Sequence, residues 1–394
     1  MKKSLLALAA LGAFAGVAHA QSSVTLYGII DEGFDMTTNV KTASGSAHQY
    51  NLASGVMQGS RFGLRGTEDL GGGLKAIFVL ENGFDVNNGK LGQGGLMFGR
   101  QAYVGLSSQF GTVTLGRQYD SVVDYVGPLE AGDQWGGYLA AHPGDIDNFN
   151  NAYRTNNTVK YTSANYGGLT FGGTYSFGGI AGNVTSNQIW SLGAGYNNGP
   201  LVLGVGYLNA RTPAAAGGLF NSGSPTVAAN AAVTTPVYAG FTSANTYQVI
   251  GAGGAYTFGA ATIGATYSNI RFGNLGASFA SPFKGQSATF NNAEINFKYQ
   301  LTPALLVGAA YDYTRGAEIE GASRAQYHQG SAGVDYFLSK RTDVYVIGVY
   351  QHALGETLNT AGTGLTAATA AINNVSPSSG PNQFTARIGI RHKF

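Results

Sequence analysis

Six carboxylates, Asp120, Asp124, Glu130, Asp133, Asp145 and Asp147, crowd into residues 119–154. Acids at that density could hold a cation, do acid–base chemistry or set up a local field. Spacing argues against the first. The stretch "GDIDN", residues 144–148, places acids two apart as a calcium loop begins, but lacks the Gly and distal Glu that complete one. It reads as a polar surface loop. His48, His142, His328 and His352 are scattered, the chain has no cysteine, and no metal-ligand spacing links them. No metal or cofactor is expected. Catalysis finds little support: there is no G-x-S-x-G and no compelling nucleophile–base spacing, although a triad can be assembled from distant loops. "GAGYNNG" and "GAGGAY" are glycine-dense but have no helix behind them, which argues against a dinucleotide site. Trp135 and Trp190 are too few for a stacking track. What is left for the acids is fixed charge, and its effect depends on the elements that hold it.

Those elements alternate with period two. In "LTFGGTYSF", Leu169, Phe171, Tyr175 and Phe177 share one face, and Thr170, Thr174 and Ser176 the other. "AEINFKYQL" sets Ile295, Phe297, Tyr299 and Leu301 against Glu294, Asn296, Lys298 and Gln300. Each pattern predicts a strand that is apolar on one side and polar on the other. Sixteen such segments are expected, near 23–37, 58–68, 73–85, 97–107, 110–118, 155–164, 168–178, 187–197, 200–211, 245–258, 260–271, 289–300, 304–315, 325–338, 342–352 and 383–394. The connections alternate strictly between short ones, such as "DLGG", "NNG" and "SKRT", and long ones near 38–57, 86–96, 119–154, 179–186, 212–244, 272–288, 316–324 and 353–382. An antiparallel meander behaves so when all tight turns lie at one end.

The chain ends are informative too. Met1-Lys2-Lys3, the apolar run Leu5 to Val17 and the small residues Ala18-His19-Ala20 read as a secretory signal over 1–20, leaving a domain over 21–394. Two of the 22 Lys+Arg lie in that signal, so 20 remain against 20 Asp+Glu. A neutral chain is a poor nucleic-acid binder. Without cysteine an exported chain must be held together by something other than disulfides. Glycine is abundant, 61 of 394 residues, and no apolar run after the signal is long enough for a membrane helix.

An even number of amphipathic strands, with tight turns at one end and long loops at the other, describes a closed transmembrane β-barrel. Lipid offers no hydrogen-bond partner, so the sheet must close on itself. The final strand "QFTARIGIRHKF" must then pair with "VTLYGIIDEGF", its apolar Phe384-to-Phe394 face toward lipid and its Arg and Lys face toward water. Tyr27, Tyr161, Phe177, Tyr196, Tyr207, Phe258, Tyr299, Tyr313 and Tyr350 sit near strand ends, as interfacial girdles require. A soluble secreted sandwich is the other all-β reading.

The residues "SSVTLYGIIDEGF", "GSRFGLRGTEDLGGGLKAIFVLENGF", "GRQAYVGLSSQFGTVTLGRQYD" and the terminal "ARIGIRHKF" resemble the general porins of Gram-negative bacteria, most closely the betaproteobacterial and neisserial branch. The resemblance implies an all-β, 16-stranded antiparallel barrel forming a trimeric, water-filled channel in the outer membrane. It implies a third loop, here 119–154, folded into the lumen. It also implies contact with outer-membrane lipid and lipopolysaccharide, and reading of the terminal aromatic, Phe394, by the barrel-assembly machinery. His392, two before the end, departs from the usual apolar residue. The wall cations implied at the constriction are Arg61, Arg100 and Arg154, with Arg65 and Lys160 on their faces and Arg117 at the strand-to-loop junction. Opposite them the resemblance places Glu130 in "PLEAGDQ", then Asp133 and Asp124.

Sixteen strands enclose a channel too wide to select unaided. Opposed fixed charges across a narrowed opening would supply selectivity; the plainer role for each arginine is to pair with an acid and pin the loop. The expectation is passive diffusion of ions and small hydrophilic solutes with a modest anion preference, strengthened by Glu130→Gln. If the loop aspartates all line the lumen, cations win instead. A substrate-specific channel and an outer-membrane barrel enzyme are the alternatives.

Overall fold

The computed structural model describes residues 23–212, 219–220, 235–277, 280–319 and 323–394. The signal expected over 1–20 and most of the loop expected over 212–244 lie outside them.

The strands are β1 (Ser23–Thr42), β2 (two arms, Gly45–Ser54 and Arg61–Gly71), β3 (Leu74–Gly83), β4 (Gln101–Ser108), β5 (Gly111–Gln118), β6 (Thr155–Ser163), β7 (Leu169–Ser176) and β8 (Ile189–Asn198). They continue as β9 (Leu201–Arg211), β10 (Thr246–Phe258), β11 (Ala261–Gly273), β12 (Ala288–Thr302), β13 (Leu305–Arg315), β14 (Gln326–Phe337), β15 (Thr342–Leu354) and β16 (Asn382–Lys393). The two arms of β2 act as one strand, because both pair with the same edge of β1, the first with Glu32–Thr42 and the second with Ser23–Ile29. All sixteen expected segments are strands, and the barrel ladders are all antiparallel, joining sequence neighbours except where the last strand meets the first.

The ring closes where the sequence requires it. β16 pairs with β1 from Ile29↔Lys393 to Thr37↔Thr385. Beyond that ladder Gly28 and Phe394 exchange two backbone hydrogen bonds, each 3.0 Å. No edge is left to seek a partner, which lipid could not provide. Alternation sorts the faces of β16: Ile388 and Ile390 are exposed, while Thr385, Arg387 and Arg391 are buried. Most of the expected girdle residues follow the outward parity, but Tyr27 does not. It lies on the inner face, where its hydroxyl donates to Glu81 at 3.0 Å.

Two expectations need correction. The first long connection, 38–57, is largely strand: β1 continues to Thr42, turns at once and returns from Gly45. Chain 55–60 then leaves the sheet between the arms of β2. It is held by Asp31, whose backbone carbonyl accepts from Gly55 N at 2.7 Å and whose carboxylate accepts from Gln58 N at 2.9 Å. Second, the inner face is not uniformly polar. Val126, Phe149, Tyr238, Phe241, Tyr247, Phe272 and Phe290 form one buried apolar cluster, which joins loop residues to β10, β11 and β12.

The third long connection explains that cluster. Asp120 caps helix α1 (Ser121–Tyr125), accepting from Val122 N at 2.8 Å and Val123 N at 3.3 Å. From there the segment tracks along the buried faces of successive strands. Ser121 N donates to Ser191 of β8, and Phe149 lies over Gly251 of β10. Ala131 N donates to Glu294 of β12 at 2.9 Å, and Gln329 of β14 donates to Ala141 O at 2.9 Å. Trp135 fits over Gly308 of β13 and Gly333 of β14, where a side chain on Gly308 would collide with the indole.

Candidate constriction site

The break in β2 delivers the first cation. Arg61 opens the second arm, and its Nε donates to Gly59 O at 2.8 Å. Arg100 stands just before β4. Its Nε donates to Glu81 Oε1 at 2.8 Å and its Nη2 to the Tyr119 hydroxyl at 3.1 Å. Both arginines line a cavity of about 280 Å³ whose far wall is loop: Tyr119, Pro128, Asp133 and Tyr138. Asp133 is open to water at its surface and accepts from Asn150 at 3.1 Å. The surrounding protein pushes its carboxyl up to about 6, against the opposing pull of Arg61 and Arg100. A second cavity, of about 440 Å³, adjoins through Tyr138, Asn150 and Asn151 and includes Arg154.

The remaining predicted cations divide. Arg154 is buried with its guanidinium over the Tyr119 ring, 5.6 Å from the centroid. Arg65 shares the face of Arg61 and lies over Tyr27 at 5.4 Å. Lys160 is neutralised: it ion-pairs with Asp124 and donates to Tyr119 O at 3.1 Å. Arg117 bonds to Gly99 O and Asn156 Oδ1, each at 2.7 Å, and lines neither cavity. Among the described residues, Arg61, Arg65, Arg117 and Arg154 make no ion pair.

The acids expected opposite the cations separate. Asp133 faces Arg61 and Arg100. Glu130 does not: it is fully buried, and its Oε1 accepts from His142 N at 2.7 Å on the side of the loop turned toward β12. The turn Gly127–Leu129 leads directly into Glu130, and Asp133 follows in the separate turn Gly132–Gly136. "GDIDN" is no surface loop either. Asp145 accepts from Asn150 N at 3.0 Å and Ala152 N at 2.7 Å, and burial beside Asp147 pushes its carboxyl up to about 7. Sequence reasoning also passed over Tyr119, Tyr138 and Glu81. Glu81 could have been found, since its parity on β3 directs it inward beside Arg100.

A closed sixteen-stranded barrel with lipid-ready outer faces and charged residues gathered inside defines an outer-membrane channel. The family model described as Gram-negative porin matches residues 7–356, and the chain belongs to that family. It is 36% identical over 392 residues to an outer membrane porin protein of Bordetella pertussis, covering 89% of this chain and 94% of that one. It is 32% identical over 417 residues to outer membrane porin protein 32 of Delftia acidovorans, covering 100% of both. Among solved structures, the anion-selective porin from Comamonas acidovorans superposes with a TM-score of 0.70 at 25% identity, covering 95% of this chain and 100% of that one. Family membership settles the class: the protein is an outer-membrane porin, a channel for passive diffusion of ions and small hydrophilic solutes, and not an enzyme.

Proposed function

We propose that residues 119–154 narrow the lumen, and that Arg61, Arg65, Arg100 and Arg154 on one side and Asp133 on the other form the selective constriction. One observation carries the reading. Three of those four arginines have no carboxylate partner among the described residues, while the acids expected to oppose them are spent elsewhere, Asp124 on Lys160 and Glu130 beneath the loop. The opening keeps a positive excess. Unit charges about 4 Å from a passing ion contribute on the order of several kcal/mol at an effective dielectric of 20, before screening. A surviving fraction suffices for a modest anion preference, in keeping with the anion-selective relative. Zero-current potentials in a salt gradient test the sign.

The working unit we propose is a homotrimer set in outer-membrane lipid and lipopolysaccharide, inserted by the barrel-assembly machinery through the strand that ends at Phe394. Planar-bilayer insertions that close in three equal steps would support the trimer, and single-step closures would refute it.

A further inference from the structure

We propose that the loop is tethered to the barrel wall by a divalent transition-metal ion of the zinc class, bound by His142, Glu130, Glu294 and Asp312. His142 is fully buried. Its Nδ1 lies 2.7 Å from Asp147 Oδ2, which also accepts from the Ser268 hydroxyl at 2.5 Å. That contact fixes Nδ1 as the protonated nitrogen and leaves Nε2 unprotonated, with only a long 3.4 Å contact to the Thr266 hydroxyl, the arrangement in which a carboxylate orients a metal-binding imidazole.

Nε2 points at anions. Glu294 Oε2 and Asp312 Oδ2 are each 3.7 Å away and Glu130 Oε1 is 4.0 Å away. These separations are too long for hydrogen bonds. They are close to those around a shared ion, since bonds of about 2.0–2.2 Å in tetrahedral geometry set ligand atoms roughly 3.3–3.6 Å apart. Ligand atoms of Glu130, His142 and Glu294 already lie within 4.8 Å of one another.

Two further facts point to a missing positive charge. Glu130 Oε2 and Glu294 Oε2 are buried without any hydrogen-bond partner. No lysine or arginine among the described residues ion-pairs with Glu130, Asp147, Glu294 or Asp312. Four carboxylates around one imidazole can be buried together only if protons or a cation offset their charge, and a divalent ion would do so. The outer contacts are already built: Asn296 Nδ2 and Ala131 N donate to Glu294 Oε1 at 2.7 and 2.9 Å, and Asn292 donates to Asp312. An imidazole among carboxylates favours zinc-class ions over calcium, which prefers six to eight oxygens. The ion would join loop residues 130 and 142 to β12 and β13. Its influence on selectivity rests on the constriction reading; its binding does not.

The test uses the full folded protein, stripped with a chelator and dialysed against Zn²⁺ or Co²⁺ alone. The site predicts one tightly held ion per chain by elemental analysis and the strong visible bands of four-coordinate Co²⁺. It also predicts a melting temperature that chelation lowers. The Glu130→Gln/Glu294→Gln double variant should weaken retention by at least about tenfold and lose the chelator effect. If that variant does not fold, the Co²⁺ spectrum and chelator shift of the wild type still decide. A wild type that retains no ion, or whose retained ion gives an octahedral spectrum and no melting shift, overturns the site in favour of shared protons or surface histidines. Reversal potentials on the same samples separate the two proposals: an ion that binds without altering selectivity supports the site and removes its part in the constriction.

Discussion

Arg61 and Arg100 stand in one cavity but differ in what they leave behind. Arg61 has no acidic partner, so Arg61→Gln, alone or with Arg65→Gln, removes positive charge and strands nothing. Anion preference should fall toward none, with conductance kept or raised. Arg100 is paired with Glu81, and both side chains are nearly buried, 4% and 5% exposed. Arg100→Gln removes a cation and uncovers an anion, so its loss of selectivity should exceed that of Arg61→Gln. It should also destabilise the barrel, since breaking a buried pair costs about 3–5 kcal/mol. Equal selectivity losses with unchanged melting would contradict this. Asp133, with its carboxyl near 6, adds a pH dependence. Above that value it is an anion opposing the arginines, and as pH falls through it the opposing charge disappears. Anion preference should therefore rise between pH 7.5 and pH 5 (a window set by the carboxyl's position). Asp133→Asn should show the low-pH preference throughout, and a wild-type profile flat across the window would rule the residue out.

At the scale of elements, the seam between β1 and β16 is the most exacting. Arg387 Nη1 pairs with Asp35 at 2.8 Å, its Nε donates to the Tyr345 hydroxyl at 2.8 Å, and its Nη2 to Ala53 O at 2.7 Å. One side chain thus joins β1, the first arm of β2, β15 and β16. Arg387→Leu leaves Asp31 and Asp35 buried without their cation and should cost about 3–5 kcal/mol, read as a lower melting temperature by circular dichroism. Adding Asp35→Asn should restore part of it. Deleting Phe394, or replacing it with Asp, should lower the amount of assembled protein without changing the conductance of channels that form; normal assembly of the Asp variant would count against the closing strand's role. These strands were legible because period-two alternation survives in "ARIGIRHKF" whatever surrounds it. The first arm of β2 was not, because "KTASGSAHQY" offers small and polar residues on both faces. Glu130 was misplaced for a different reason. The direction of a loop side chain depends on turns such as Gly127–Leu129, and no periodicity records them. The cluster around His142 draws on residues 130, 142, 147, 294 and 312, which meet only after the loop has folded against β12 and β13.

The whole molecule inverts the usual arrangement of a soluble domain. Its apolar outer faces, with residues such as Val205, Ile250 and Ile388 more than half exposed, suit lipid, and its charges gather inside. With 20 cationic and 20 acidic side chains beyond the expected signal, bulk charge cannot set ion preference, and under the proposed constriction its few unpaired groups would do so. The zero-current potential of the purified wild-type channel, in a planar bilayer under a potassium chloride gradient, tests this most directly. The arginine excess predicts a potential whose sign reports chloride as the more permeant ion, reduced in the Arg61→Gln/Arg65→Gln variant. A potential showing clear potassium preference in the wild type would contradict it.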